Sequence, residues 1–121
     1  MKRRLPTLRS VSDAQTPTKV PRMNAYEALI FGAEIGDCPS IDLHHEAPDS
    51  ALVLLEQFVK GELRLKTEVV RIIHGRGTGT LERLVAQWLR RHKTLIPFYR
   101  PSERMHEAGA VTYACLTTKK S

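Results

Sequence analysis

The sequence predicts an α/β fold: a two-layer α/β sandwich with a mixed sheet in β-α-β-α-β-β order. Three observations predict it. Two helical patterns alternate with short apolar runs, which is how crossover units read in sequence. Thr67 to His74 is almost continuously apolar, as expected for an interior strand. His74-Gly75-Arg76-Gly77-Thr78-Gly79 then gathers three of the seven glycines between that strand and the best-patterned helix.

Taken in order, residues 1–23 read as a disordered basic arm. They hold six Lys/Arg against Asp13 alone, with prolines and little to bury. Residues 24–38 form an N-terminal extension. There Asn24 and Glu27 have the spacing of a helix start, and a short helix is expected to stop at Gly32. Residues 39–118 form the main domain, and 119–121 a C-terminal tail. Ser40 to His45 reads as the first strand, Ile41 and Leu43 on one face, Asp42 and His44 on the other. A helix capped by Asp49 follows to about Leu63, buried through Leu52, Leu55, Val59 and Leu63. After Thr67–His74 comes the second helix of this domain, starting near Leu81. Its Leu81, Leu84, Val85, Trp88 and Leu89 fall at i, i+3, i+4, i+7 and i+8. Strands Leu95–Tyr99 and Ala110–Thr117 close the chain, joined by a loop from Arg100 to about Ala108.

At 121 residues the chain is sized for one domain, and 41% hydrophobic residues against 26% charged favour a globular one. The charge is polarised. Residues 24–70 carry three basic and nine acidic side chains, whereas 71–104 carry eight basic and two acidic. A basic arm and a basic half containing the glycine loop suit a polyanion. Cys38 and Cys115 lie too far apart for a paired metal motif and read as free thiols, which points to the cytoplasm. No run is long and apolar enough to span a membrane. The basic N-terminus lacks the apolar stretch of a secretory signal, and its prolines oppose a helical presequence. Without heptads or exchange signals, a monomer is the default.

The chemistry collects at strand ends, where open α/β sheets bind ligands. Asp42, His44 and His45 end the first strand, and His74 and Arg76 end the second. The glycine loop is either a tight turn or a phosphate cradle built from amides at a helix N-terminus. Beside it, Asp42 or His44 could activate a water or a ribose 2′-hydroxyl, and a neighbouring histidine could protonate the leaving oxygen. The amides and Arg76 would stabilise the charge that develops on phosphorus, with Arg83 placed to flank the loop. Cys38, His44, His45 and His74 match no zinc spacing; Asp42 could hold a divalent cation such as magnesium. The loop lacks the Gly-Lys-Ser/Thr ending of a P-loop, and its glycines do not fit the dinucleotide fingerprint. Trp88 belongs to the apolar stripe rather than to a base-stacking platform.

Ile41-Asp42-Leu43-His44, Ile72-Ile73-His74-Gly75-Arg76-Gly77-Thr78-Gly79, Leu81 through Leu89, and Gly109-Ala110-Val111-Thr112-Tyr113 together resemble the Smr (small MutS-related) domain family, over about residues 39–118. The resemblance implies a sandwich like the C-terminal domain of a bacterial translation initiation factor. It also implies RNA or DNA binding, in many members endonuclease activity, and in others binding alone. The alternative to an endonuclease is a non-catalytic module that recruits a ribosome or a DNA-processing partner. Asp42 and His44 match the family's first motif, His74, Gly75, Gly77 and Gly79 its second, and Arg76 fills a variable, frequently basic position. With the loop and helix pattern added, Asp42, His44 and His74 are expected in catalysis and Gly75, Arg76, Gly77, Thr78, Gly79 and Arg83 on phosphate. His45 stands where the family usually has glycine, either narrowing the approach or adding a proton donor. Ala108 stands where the closing motif usually has the first of two glycines. RNA is the favoured substrate over DNA nicking.

Overall fold

The computed structural model describes residues 24–118; the predicted disordered arm and the C-terminal tail lie outside them. Helices α1 (Ala25–Ile35), α2 (Pro48–Arg64) and α3 (Thr80–Arg91) accompany strands β1 (Ser40–Asp42), β2 (Val69–Ile73), β3 (Phe98–Pro101) and β4 (Val111–Cys115). The sheet order is β1-β2-β4-β3. β1 runs parallel to β2 with Ile41 opposite Ile72, while β4 runs antiparallel to β2 and to β3. The mixed α/β sheet of the sequence reading is therefore present. The carboxyl ends of β1, β2 and β3 share one edge with the start of β4.

Alternation along the strands decides what each face buries. Val70 and Ile72 of β2 and Ala114 of β4 pack with Ala51, Leu55 and Val59 of α2 and Val85, Trp88 and Leu89 of α3. On the other face Val69, Val111, Tyr113 and Cys115 surround Ile30 of α1. The sheet is thus covered on both faces, α1 adding a layer to the two-layer core. Trp88 is in the core and stacks on His92, as its place in the stripe predicts.

Several boundaries move for identifiable reasons. Asn24 caps α1, its side chain accepting the Glu27 N–H at 2.7 Å. The helix nevertheless runs through Gly32 to Ile35, because Ile30 and Glu34 are both buried against the sheet. Tertiary burial overrides the weak helix preference of one glycine. Helix α2 starts at Pro48 after Ala47, without a side-chain cap, so Asp49 lies in its first turn instead of capping it. There it still faces the positive end of the helix dipole. β1 ends at Asp42 rather than His45, because the Asp42 carboxylate takes the His44 backbone N–H at 3.1 Å and turns the chain. β3 falls at Phe98–Pro101 instead of Leu95–Tyr99, its register set by Phe98 opposite Cys115. The expected loop to Ala108 contains a 3₁₀ turn at Met105–Glu107.

Candidate functional site

Asp42 ends β1 and His44 follows in the turn. The Asp42 Oδ1 atom accepts the His44 backbone N–H and also meets His44 Nδ1. A carboxylate only accepts, so Nδ1 carries the proton and Nε2 is the ring nitrogen without a hydrogen bond among the described residues. The two hydrogen bonds from His44 hold the Asp42 carboxyl below the usual carboxylate range. Asp42 is thus an ionised orienter and a weak proton acceptor, while the imidazole is the available base. Both side chains stay open to solvent, at 53% and 40% exposure. His45 lays its ring against that of His44, centroids 3.6 Å apart. It does not line the cleft described next.

The glycine loop faces this pair. Leu43 N–H donates to the Ile73 carbonyl at 2.7 Å, drawing the two strand ends together. The approach is so close that a Cβ on Gly75 would lie 2.7 Å from His44 Cβ, and Gly75 has φ +81°. Only glycine accepts both conditions. Gly77 and Gly79 also take positive φ, and Gly79 caps α3 from the left-handed region. Thr78 closes that helix start, its Oγ1 3.3 Å from the Thr80 N–H and 2.9 Å from Thr80 Oγ1. The result is a cleft of ≈ 270 Å³ bounded by His44, Glu46 and Pro48 on one side and the loop from His74 to Leu81 on the other.

Two expected site residues line this cleft with their polar atoms already engaged within the protein. His74 is only 3% exposed. Its Nδ1 donates to the Gly75 carbonyl at 3.1 Å, leaving Nε2 to accept the Thr112 hydroxyl at 3.0 Å. With both nitrogens engaged, the ring shapes the loop and has no free nitrogen for a leaving group. Arg76 lines the cleft with its guanidinium already engaged: Nε donates to the Ala108 carbonyl at 3.1 Å and Nη2 to the His106 carbonyl at 3.0 Å. It fastens the loop to the β3–β4 connection, and the His74 and Gly75 N–H groups, both on the Ala110 carbonyl, do the same. Arg83 is exposed on the first turn of α3 and does not line the cleft. Glu46 was not singled out from the sequence, although its place in the turn after His44 was the available signal.

That connection is itself anchored. Glu34 of α1 takes two hydrogen bonds from Arg100, at 3.0 and 3.1 Å, and one from the Glu103 N–H at 3.0 Å. Arg104 Nη1 donates to the Glu34 carbonyl. Glu107 accepts from Ser102 at 2.7 Å, Tyr113 at 3.1 Å and Arg71 at 3.1 Å. Arg100, foremost, holds the Glu34 carboxyl below its ordinary range. Burial works to raise Glu107, but Ser102, Tyr113 and the arginines outweigh it. Burial pushes the Tyr113 phenol up to about 12.

Among the described residues no three His, Cys, Asp or Glu side chains come together to hold a metal ion. A magnesium ion would find one uncommitted oxygen on Asp42, Oδ2, and would draw its other ligands from water and from substrate phosphates. Cys38 and Cys115 are free, and no described helix is long and apolar enough to cross a membrane.

An α/β domain with an imidazole–carboxylate pair facing a glycine loop at its strand ends defines the class. The family description "Smr domain" matches residues 41–117, and the chain belongs to that family. It is similar to the endonuclease MutS2 of Staphylococcus aureus, 38% identical over 58 residues, covering 48% of this chain and 8% of that protein. The endonuclease MutS2 of Staphylococcus carnosus is 36% identical over 58 residues, covering 48% of this chain and 7% of that protein. The chain therefore spans less than a tenth of the length of these relatives. The crystal structure of the Smr domain of Thermus thermophilus MutS2 is 25% identical with a TM-score of 0.62, covering 65% of this chain and 98% of that one.

Proposed function

We propose that this chain is a nucleic-acid-binding endonuclease domain that cleaves single-stranded RNA. The observation that carries the reading is the Asp42–His44 pair held in contact with the glycine loop at Gly75. Relatives named as endonucleases support the class. An oriented imidazole suits an internal 2′-hydroxyl, which needs little more than loss of its proton in an aligned geometry. His44 Nε2 removes that proton, the 2′-oxygen bonds to phosphorus, and the bond from phosphorus to the 5′-oxygen breaks. The products are a 2′,3′-cyclic phosphate and a 5′-hydroxyl, the latter protonated by solvent in the open cleft. Asp42 holds the His44 tautomer and balances the imidazolium. Gly77, Thr78, Gly79 and the first turn of α3 present amides to the phosphate. His45, its ring tilted against that of His44, is outside the cleft lining and leaves room for the strand.

The test is labelled single-stranded RNA and supercoiled plasmid incubated with the purified protein, with magnesium or with chelator. His44→Ala is expected to lower RNA cleavage by about 10²–10⁴, the usual contribution of a general base. Cleavage that survives in both His44→Ala and Asp42→Ala overturns the assignment. The engagement of His74 and Arg76 within the protein favours one second reading, a module that binds RNA, free or in a ribosome, without cutting. It predicts tight binding with no turnover at substoichiometric protein.

A further inference from the structure

We propose that the exposed face of α2 beside the cleft is a nucleobase subsite, taking the base next to the phosphate on the glycine loop. The inference rests on the nucleic-acid reading above. Ser50, Val53, Leu54 and Gln57 fall at i, i+3, i+4 and i+7, so they share one helical face. This face points away from the core stripe of Ala51, Leu55 and Val59. Val53 is 56% exposed and Leu54 37%, an apolar pair left uncovered by the described residues on a helix that already has a buried side. With Glu46 and Asp49 they line a depression of ≈ 520 Å³. Glu46 also borders the glycine-loop cleft, so the two hollows are neighbours on one surface.

The chemistry selects the occupant. Asp49, which lines the depression and not the glycine-loop cleft, repels a phosphate there, so the backbone belongs on the glycine side. A planar base turned out of a single strand has an apolar face for Val53 and Leu54. Its amino group can donate to a carboxylate, as cytosine N4 does to Glu or Asp. Uracil has no amino group. The subsite therefore favours an amino-bearing base over uracil.

The experiment measures binding of short single-stranded RNAs in which one abasic position is moved along the chain. Wild-type protein is expected to lose affinity roughly tenfold at one position, the scale of burying one apolar side chain, and to disfavour uracil there. The Val53→Ser/Leu54→Ser double substitution, at exposed positions, is expected to abolish that dependence while leaving affinity for the abasic RNA unchanged. Glu46→Gln is expected to narrow the preference for cytosine over uracil. Wild-type binding that ignores the abasic position overturns the subsite and leaves the nucleic-acid reading standing. No RNA binding at all overturns both. Should the double substitution instead convert a dimer to a monomer in sedimentation, the face is covered by a second copy and the proposal falls.

Discussion

The Asp42 carboxylate and the His44 ring divide one task, and their variants should separate the two parts. Asp42→Asn keeps the shape but can present an N–H to Nδ1, favouring the tautomer whose Nε2 carries the proton. It is expected to lower kcat for RNA cleavage by an order of magnitude or more, with KM nearly unchanged; a rise in KM alone would make Asp42 a binding group. Gly75 is the second sensitive point. A side chain there is strained at φ +81° and meets His44 Cβ. Gly75→Ala is expected to cost about 1–3 kcal/mol for the backbone region alone, read by denaturant unfolding, and to reduce cleavage further by displacing His44. The motif spacing made Asp42, His44 and the glycines legible. It did not disclose that His74 is enclosed, because an imidazole beside glycines reads alike whether it faces solvent or Thr112.

Among the elements, α1 has the largest role that sequence did not foresee. It reads as a short appendage, yet Glu34 binds Arg100 of β3 and the loop that receives Arg76. Removing one partner of a buried ion pair typically costs about 3–5 kcal/mol. Glu34→Gln is expected near the low end, since Arg100 retains Glu27 at 3.0 Å. The same carboxylates set acid sensitivity. Glu34 and Glu107 are held below their ordinary 4.5. Their contribution is therefore full above that value and is lost as pH falls through the lower, folded values. Thermal unfolding followed from pH 6 down to about 3 should show a steep fall that Glu34→Gln flattens. Local propensity predicts a stop at Gly32, and α1 continues to Ile35 because Glu34 has a partner 66 residues away, out of reach of any local rule.

At the scale of the molecule, charge is segregated so that the basic half holds the glycine loop. RNA affinity is expected to fall with salt, log K against log salt having a slope of about −0.7 for each phosphate neutralised on a single strand. Deleting residues 1–23, with their six Lys/Arg, should reduce that slope by at most about 4. A slope that does not change removes the arm from the interface. The sequence by itself determined the α/β class, the positions of α2, β2 and α3, and the convergence of Asp42, His44 and the glycine loop. Each follows from short-range signals: apolar periodicity, the paired motifs and glycine's access to positive φ. Only the tertiary structure decided that α1 covers the second face, that Glu46 borders both hollows, and that His74 and Arg76 are tied into the loop while lining the cleft. Those outcomes depend on residues dozens of positions apart, which become neighbours only once the sheet has formed.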